Sequence, residues 1–190
     1  PYTYLAAHAA SISGVGDMGK AILALIAVNK NPRQLDGTDL IQQLEATLGG
    51  NGAYGDSGMV NDQAYAMLAL ASARRPIPAA AVNYLLARQI EDGTWAWNGD
   101  TTPGAGDNNT AAFAVLALLA AGVSADHPQV VKTLEHFRGQ QNADGGFPYV
   151  SPSPYGTDSD ANSTAVVMWA IAAAGRAARR HPVPGTSTRR

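Results

Sequence analysis

Apolar residues along this chain form helical segments of two kinds. Segments of the first kind are apolar on almost every side, as in "NDQAYAMLALASA" from Asn61 and "ANSTAVVMWAIAAAG" from Ala161. Segments of the second kind, such as "TDLIQQLEATL" and "HPQVVKTLEHFRGQ", carry apolar residues on one face only. A helix that is apolar all round is buried on all sides, whereas an amphipathic helix lies at the surface. The pattern therefore predicts that buried helices alternate with half-buried ones.

The all-apolar segments also form an internal repeat. They superpose with Asn61, Asn109 and Asn162 in register, and a weaker copy, "GDMGKAILALIAV", begins at Gly16. The period is about 50 residues, which is typical of helix-hairpin repeats. Two concentric layers explain why buried and half-buried helices alternate. The all-apolar helices lie in the inner layer and the amphipathic helices in the outer layer. We therefore predict an all-α fold, an α/α toroid that forms either a partial ring or a small barrel.

Helix boundaries follow from the periodicity and from proline and glycine. We expect eight helices near residues 2–11, 17–29, 38–48, 61–73, 78–89, 109–121, 128–139 and 162–174, with ends uncertain by about two to four residues. Pro78 and Pro128 stand at expected helix starts, where the first turn tolerates a residue without a backbone N–H. Gly122 and Gly175 stand where helices are expected to end. The expected organisation is a repeat domain over 1–175 and an Arg-, Pro-, Ser- and Thr-rich tail or linker over 176–190.

A short motif follows two of the predicted outer helices. The segments "QIEDGTW" from Gln89 and "QNADGGF" from Gln141 share the pattern Gln-x-x-Asp-Gly-x-aromatic, and a degenerate version runs from Leu48 to Tyr54. Asp-Gly suits a tight turn with positive φ, and the aromatic residue can cover the ends of two neighbouring helices. Because the motif recurs at each junction between repeats, we expect it to be a structural joint rather than an active site.

Composition and charge narrow the functional classes. The absence of cysteine excludes disulfides, thiolate metal sites and a cysteine nucleophile. The net charge is −2, and all 15 acidic residues precede Gly175, so the repeat domain lacks the basic surface of a nucleic-acid-binding protein. The four histidines show no spacing that suits metal ligands. We expect no metal, no cofactor and no nucleic-acid partner.

The repeat pattern and the junction motif resemble the terpenoid cyclase and protein prenyltransferase superfamily of α/α toroids. Gln89, Gly93 and Trp95 match the Gln-x-x-x-Gly-x-Trp motif of its squalene-hopene cyclase branch, and the copy from Gln141 has Phe147 in place of tryptophan. The resemblance extends up to the Arg-rich tail. The chain is also similar to bacterial proteins with prenyltransferase and squalene-oxidase repeats. That similarity implies an exported or cell-surface location.

The resemblance also shows which catalytic groups are missing. Squalene cyclases of this family protonate an alkene with the middle Asp of an Asp-x-Asp-Asp-Thr-Ala segment, and the matching stretch here is "DANSTA" over 160–165. Asn162 stands in the place of that acid, and an amide has no proton to give to a double bond. The prenyltransferases hold zinc through Asp, Cys and His, and this chain has no cysteine. A shifted register leaves Asp158 and Asp160 as the alternative catalytic pair.

Polar residues at helix starts and aromatic residues of the junction loops are the ligand-binding candidates. Short polar side chains in these positions cap helices, so we expect two equivalent groups, Asp107, Asn109 and Thr110, and Asp160, Asn162 and Ser163, to accept hydrogen bonds from free backbone N–H groups. If these caps surround the mouth of the toroid, they can also contact a ligand, and aromatic rings stack on apolar ligands. The candidates are Asp107, Asn109, Asn162, Trp95, Trp97, Phe147, Tyr149 and Tyr155.

Three functions remain open from the sequence. The chain is a module that binds an apolar or isoprenoid-like small molecule, a structural or interaction scaffold, or an active terpenoid cyclase or prenyltransferase that uses Asp158 and Asp160. The missing cyclase acid and zinc ligand favour the first two. The resembling families close their ring with about twelve helices, and open ends would expose apolar flanks. We therefore expect self-association or additional N-terminal repeats to complete the ring.

Overall fold

The computed structural model describes residues 2–56 and 58–180. Its helices are α1 (Tyr2–Ala7), α2 (Val15–Ala27), α3 (Leu40–Ala46), α4 (Val60–Ser72), α5 (Ala79–Leu86), α6 (Asn108–Ala120), α7 (Pro128–Gln140) and α8 (Ala161–Arg180). These residues include no strand, and only isolated bridges pair extended backbone, as between Trp95 and Asp107. The predicted all-α class is confirmed.

Several helix ends differ from the prediction. The first predicted helix divides at His8, because the backbone tightens into a 3-10 helix over Ala9–Ser11. Both α3 and α5 end earlier than expected, since their last turns change to i→i−3 hydrogen bonds, such as that from Leu48 N to Glu45 O. Gly122, in contrast, lies at the predicted end of a helix: it follows the C-cap residue of α6, Ala121, and has a φ of 87°.

The prediction that the last helix stops at Gly175 is wrong. Helix α8 continues through Gly175 to Arg180, so the first part of the predicted tail is helical. A glycine inside a helix costs only about 1 kcal/mol relative to alanine, and the alanines and arginines that follow have high helix propensity. The rest of the predicted tail, 181–190, lies outside the described residues.

The contacts between helices define two layers. The inner helices α2, α4, α6 and α8 pack side by side in chain order, and the outer helices α3, α5 and α7 pack on α2, α4 and α6 respectively. Among the described helices, α2 and α8 at the two ends of the inner row are not an extensively packed pair. Closure into a toroid therefore stays a prediction. Throughout 2–56 and 58–180, every helix falls short of the length or the apolarity that a membrane span requires.

Long loops connect each outer helix to the next inner helix, and they meet at the N-terminal ends of the inner row. The first N–H of α4, at Val60, donates to Trp97 O in the following loop at 3.0 Å. The first N–H of α6, at Asn108, donates to Tyr149 O in the loop after that at 2.9 Å. Since these bonds join equivalent positions, the loops after α5 and α7 are both attached to the start of the preceding inner helix. This repeated contact places the predicted aromatic residues at one end of the molecule.

Candidate functional site

The junction motif joins successive outer helices. Gln89 Nε2 donates to Gly93 O in its own loop at 3.2 Å and to Gln129 O in α7 at 2.8 Å. Trp95 is 0% exposed, and its Nε1 donates to Leu85 O at 2.8 Å. These contacts hold the loop against α5 and α7, as expected of a structural joint.

Two of the aromatic ligand-binding candidates are packing groups. Trp95 lies in the core, and Phe147 is also buried, with its ring edge-on to Phe137 at 6.5 Å between centroids. Buried aromatic residues in such pairs contribute mainly to stability. Trp95 and Phe147 are therefore packed in the core, and Phe147 also lines a groove between α7 and α8.

A cleft of about 750 Å³ opens among the long loops and the start of α8. We call it the loop-end cleft, and six of the predicted site residues line it: Trp97, Asp107, Tyr149, Tyr155, Asp158 and Asp160. They come from two different junction loops, far apart in the sequence. The side chains of Trp97, Tyr149 and Tyr155 are exposed. The cleft thus offers accessible aromatic surface beside carboxylates.

The buried carboxyl group of Asp107 and the hydroxyl group of the exposed Tyr149 form a polar pair in the loop-end cleft. The Asp107 carboxylate accepts hydrogen bonds from Thr110 N and Thr110 Oγ1, both at 2.8 Å, so the predicted cap is confirmed. Burial raises the pKa of Asp107, and the bonds from Thr110 and from the Tyr149 hydroxyl partly offset that rise. Burial and the nearby Asp107 charge raise the pKa of Tyr149 to about 12. The Tyr149 hydroxyl is therefore a hydrogen-bond donor at neutral pH.

Asp160 caps α8 and is poorly suited to donate a proton. Its Oδ2 accepts from Ser163 N at 2.7 Å and from Ser163 Oγ at 2.5 Å, which confirms the predicted cap. The hydrogen bonds from Ser163 hold the pKa of this exposed carboxyl below its ordinary value. A general acid needs a raised pKa, so these contacts oppose the use of Asp160 as an acid. Asp158 lies at the exposed rim of the same cleft.

Asn109 and Asn162 are not among the residues that line the loop-end cleft. Within the described part of the chain, the buried amide oxygens of Asn109 and of its repeat equivalent Asn61 have no hydrogen-bond partner. Asn162 is exposed in the first turn of α8. The prediction that Asn109 and Asn162 cap their helices is wrong, because both lie inside the first turn and Asp107 and Asp160 are the capping residues. The cleft instead includes Pro152 and Pro154, which are not among the predicted site residues. The Pro-rich string "SPSPYG" is the signal that could have identified them.

No group of three or more His, Asp or Glu side chains among the described residues is arranged to hold a metal ion. Comparison of the chain with protein-family models and with curated proteins gave no match. The loop-end cleft is the candidate site because the chain's own fold brings its residues together.

Two tyrosines with raised pKa values should make the stability depend on alkaline pH. Burial raises the pKa of Tyr54 to about 12, as it does for Tyr149. Unfolded tyrosine has a pKa near 10, so between about 10 and 12 the folded state binds more protons than the unfolded state. The free energy of unfolding should therefore fall as the pH rises through that range.

Tyrosinate absorbance during an alkaline titration measures this effect directly. We expect Tyr149→Phe to remove part of a late phase near pH 12. The urea-unfolded chain serves as the control, because its tyrosines should all ionise near 10. If Tyr149→Phe leaves the late phase unchanged, the pKa of Tyr149 is not raised in the folded protein.

Proposed function

We propose that the protein is a binding module rather than an enzyme, and that its ligand lies in the loop-end cleft. The observation that carries this proposal is the convergence of Trp97, Tyr149 and Tyr155 with carboxylates in one 750 Å³ cleft. Ligand sites are concave, combine apolar surface with a few polar groups, and have volumes of roughly 300–1,000 Å³. The cleft has a volume in this range, and it combines aromatic and proline side chains with three carboxyl groups.

The lining residues indicate which ligands suit the cleft. Asp107, Asp158 and Asp160 contribute carboxyl groups, and no Lys or Arg is among the described lining residues. A diphosphate would meet like charge without a cationic partner, so a prenyl diphosphate is disfavoured. The aromatic rings and the two prolines suit an apolar or planar body. We infer a ligand without negative charge, and an uncharged isoprenoid is one example.

Calorimetric titration tests both the site and the ligand class. We expect farnesol to bind at least tenfold more tightly than farnesyl diphosphate, a difference of about 1.4 kcal/mol. Trp97→Ala should weaken farnesol binding by a similar factor, because it removes an exposed ring of the cleft. Tyr4→Ala is the matched control, since Tyr4 is an exposed aromatic residue on α1, outside the cleft. Equal effects of the two variants, or tighter binding of the diphosphate, would contradict the proposal.

The enzyme alternative has its own test. A terpenoid cyclase or prenyltransferase would use Asp158 and Asp160, and we expect no product when the purified chain is incubated with squalene or with prenyl diphosphates. Asn162→Asp should not restore cyclisation, because Asn162 is exposed and is not among the residues that line the cleft. Formation of a cyclised product, abolished by Asp158→Asn, would overturn the assignment as a binding module.

A scaffold is the second candidate, and it is compatible with ligand binding. Support comes from the row of inner helices, which the outer helices cover on α2, α4 and α6. This arrangement suits an arc of an α/α toroid, the architecture of the resembling superfamily. Helical repeat arrays commonly bind partners through extended surfaces. The last inner helix, α8, presents such a surface.

A further inference from the structure

Helix α8 exposes side chains whose repeat equivalents are buried. Met168 on α8 is 57% exposed, whereas Met67 on α4 and Val115 on α6, at the same repeat position, are both 0% exposed. Each of the three residues is apolar. Met168 is thus an apolar residue of the kind found at buried positions, but no part of the described chain covers it.

The same contrast recurs along one side of α8. Ile171 is 42% exposed, and its equivalents Leu70 and Leu118 are buried. Ala165 is exposed, and its equivalents Ala64 and Ala112 are buried. We call Ala165, Met168, Trp169, Ile171 and Ala172 the α8 face. Contiguous exposed apolar surface of this kind usually marks an interaction site.

The last junction motif also lacks the contacts that its predecessor makes. A Cβ on Gly93 would lie 3.0 Å from Lys132 O in the next outer helix, whereas one on Gly145 would meet nothing within 4 Å. Gln141 Nε2 donates to Gly145 O in its own loop, which corresponds to the bond between Gln89 and Gly93. A groove of about 820 Å³ lies between α7 and α8 at this place. The edge of the molecule at α8 therefore has room for another helix.

We propose that a second copy of this chain covers the α8 face, through antiparallel pairing of the two α8 helices about a two-fold axis. The α8 face is self-complementary about the point midway between Met168 and Trp169. Antiparallel pairing there places Ala165 opposite Ala172 of the second copy and Met168 opposite Trp169 of the second copy. The small alanines allow the helices to approach closely, and the large side chains fill the centre. Two-fold pairing of identical surfaces is the commonest form of self-association.

Charge complementarity favours the antiparallel direction. In this register Arg176 is level with Ala161 of the second copy, and so adjacent to the Asp160 carboxylate of that copy. The two-fold axis forms this ion pair twice. A parallel arrangement would instead bring like charges level with each other at each end of the pair.

The opposite edge of the molecule is a poorer partner for the α8 face. The exposed face of α2 carries Asp17 and Lys20, which form a salt bridge with 2.9 Å between carboxylate and ammonium. Burying charged groups against an apolar surface is costly. Head-to-tail association through α2 is therefore disfavoured relative to pairing of α8 with α8.

Light scattering over a range of concentrations tests the self-association. We expect the full chain to be a dimer, and Met168→Glu to weaken the dimer at least a hundredfold while helical circular dichroism is unchanged. The matched control is Val28→Glu, because Val28 is an exposed apolar residue at the end of α2. A wild-type chain that stays monomeric at high concentration overturns the proposal.

Cysteine cross-linking tests the register, since the natural chain contains no cysteine. The double variant Ala165→Cys with Ala172→Cys should form covalent dimers on mild oxidation, and Ala165→Cys alone should not. The two positions lie roughly 10 Å apart along one helix, too far for a disulfide within the chain. Efficient cross-linking of Ala165→Cys alone would contradict the antiparallel register. Neither experiment depends on ligand binding in the loop-end cleft.

Discussion

Replacing Trp95 with alanine is expected to lower the free energy of unfolding by about 3–5 kcal/mol, the range for truncation of large buried aromatic residues. Trp95 is fully buried in the core that joins the inner helices. Its indole N–H also donates to Leu85 O at the end of α5, so the variant leaves that carbonyl without this donor. Urea denaturation followed by circular dichroism measures the loss.

Trp97→Ala is the matched control, because the same side chain is removed two residues further along the loop. Trp97 is half-exposed and lines the loop-end cleft. We expect its removal to change the free energy of unfolding by less than about 1 kcal/mol, as for most surface substitutions. Ligand binding, in contrast, should weaken in Trp97→Ala. Equal losses of stability in the two variants would contradict the assignment of Trp95 as a packing group and of Trp97 as a ligand contact.

Helix caps were predictable from the sequence because their chemistry is local. Asp107 and Asp160 each stand directly before an apolar helix, and each accepts hydrogen bonds from the residue three positions later. A short acidic side chain in that position satisfies an N–H that the helix leaves free. The recurrence of Asp-Gly after α5 and α7 predicted a tight turn for the same reason, because neighbouring residues determine the conformation of a turn.

At the first junction, after α3, the contacts could not be predicted from neighbouring residues. The sequence places Leu48 where the other junctions have glutamine, and the motif therefore looks degenerate. In the structure Gln63 of α4 supplies the amide instead: its Nε2 donates to Gly52 O and to Ala81 O, both at 3.0 Å. Tyr54 N donates to the Gln63 Oε1 at 2.8 Å. A lone glutamine in an apolar helix was the available signal, but its partners depend on tertiary packing.

The loop-end cleft was only partly predictable for a related reason. Its aromatic residues were identified because they recur near the junction motif, yet Trp95 and Trp97 have the same residue type and opposite environments. Which of the two is buried depends on the path of a long loop. That path is set by contacts with distant segments, such as the bond from Val60 N to Trp97 O. Periodicity in the sequence contains no information on such contacts.

Gly52 and Gly145 provide a matched pair that isolates the contact between a junction loop and the next outer helix. Both have a φ of +86°, so alanine at either position adopts a left-handed conformation that costs about 1–2 kcal/mol. A methyl group on Gly52 would also lie 2.2 Å from Ala80 O in α5, whereas a methyl group on Gly145 would meet nothing within 4 Å. Backbone atoms must move to relieve the first contact.

We therefore expect Gly145→Ala to lower the free energy of unfolding by about 1–2 kcal/mol, and Gly52→Ala to lower it by more than about 3 kcal/mol. The difference between the two variants reports the steric contact with α5, because the backbone strain is common to both. Urea denaturation of both variants under one set of conditions gives this difference. If the two losses are equal, the junction loop does not press against α5 in solution, and the joint between the first two repeats is looser than the structure describes.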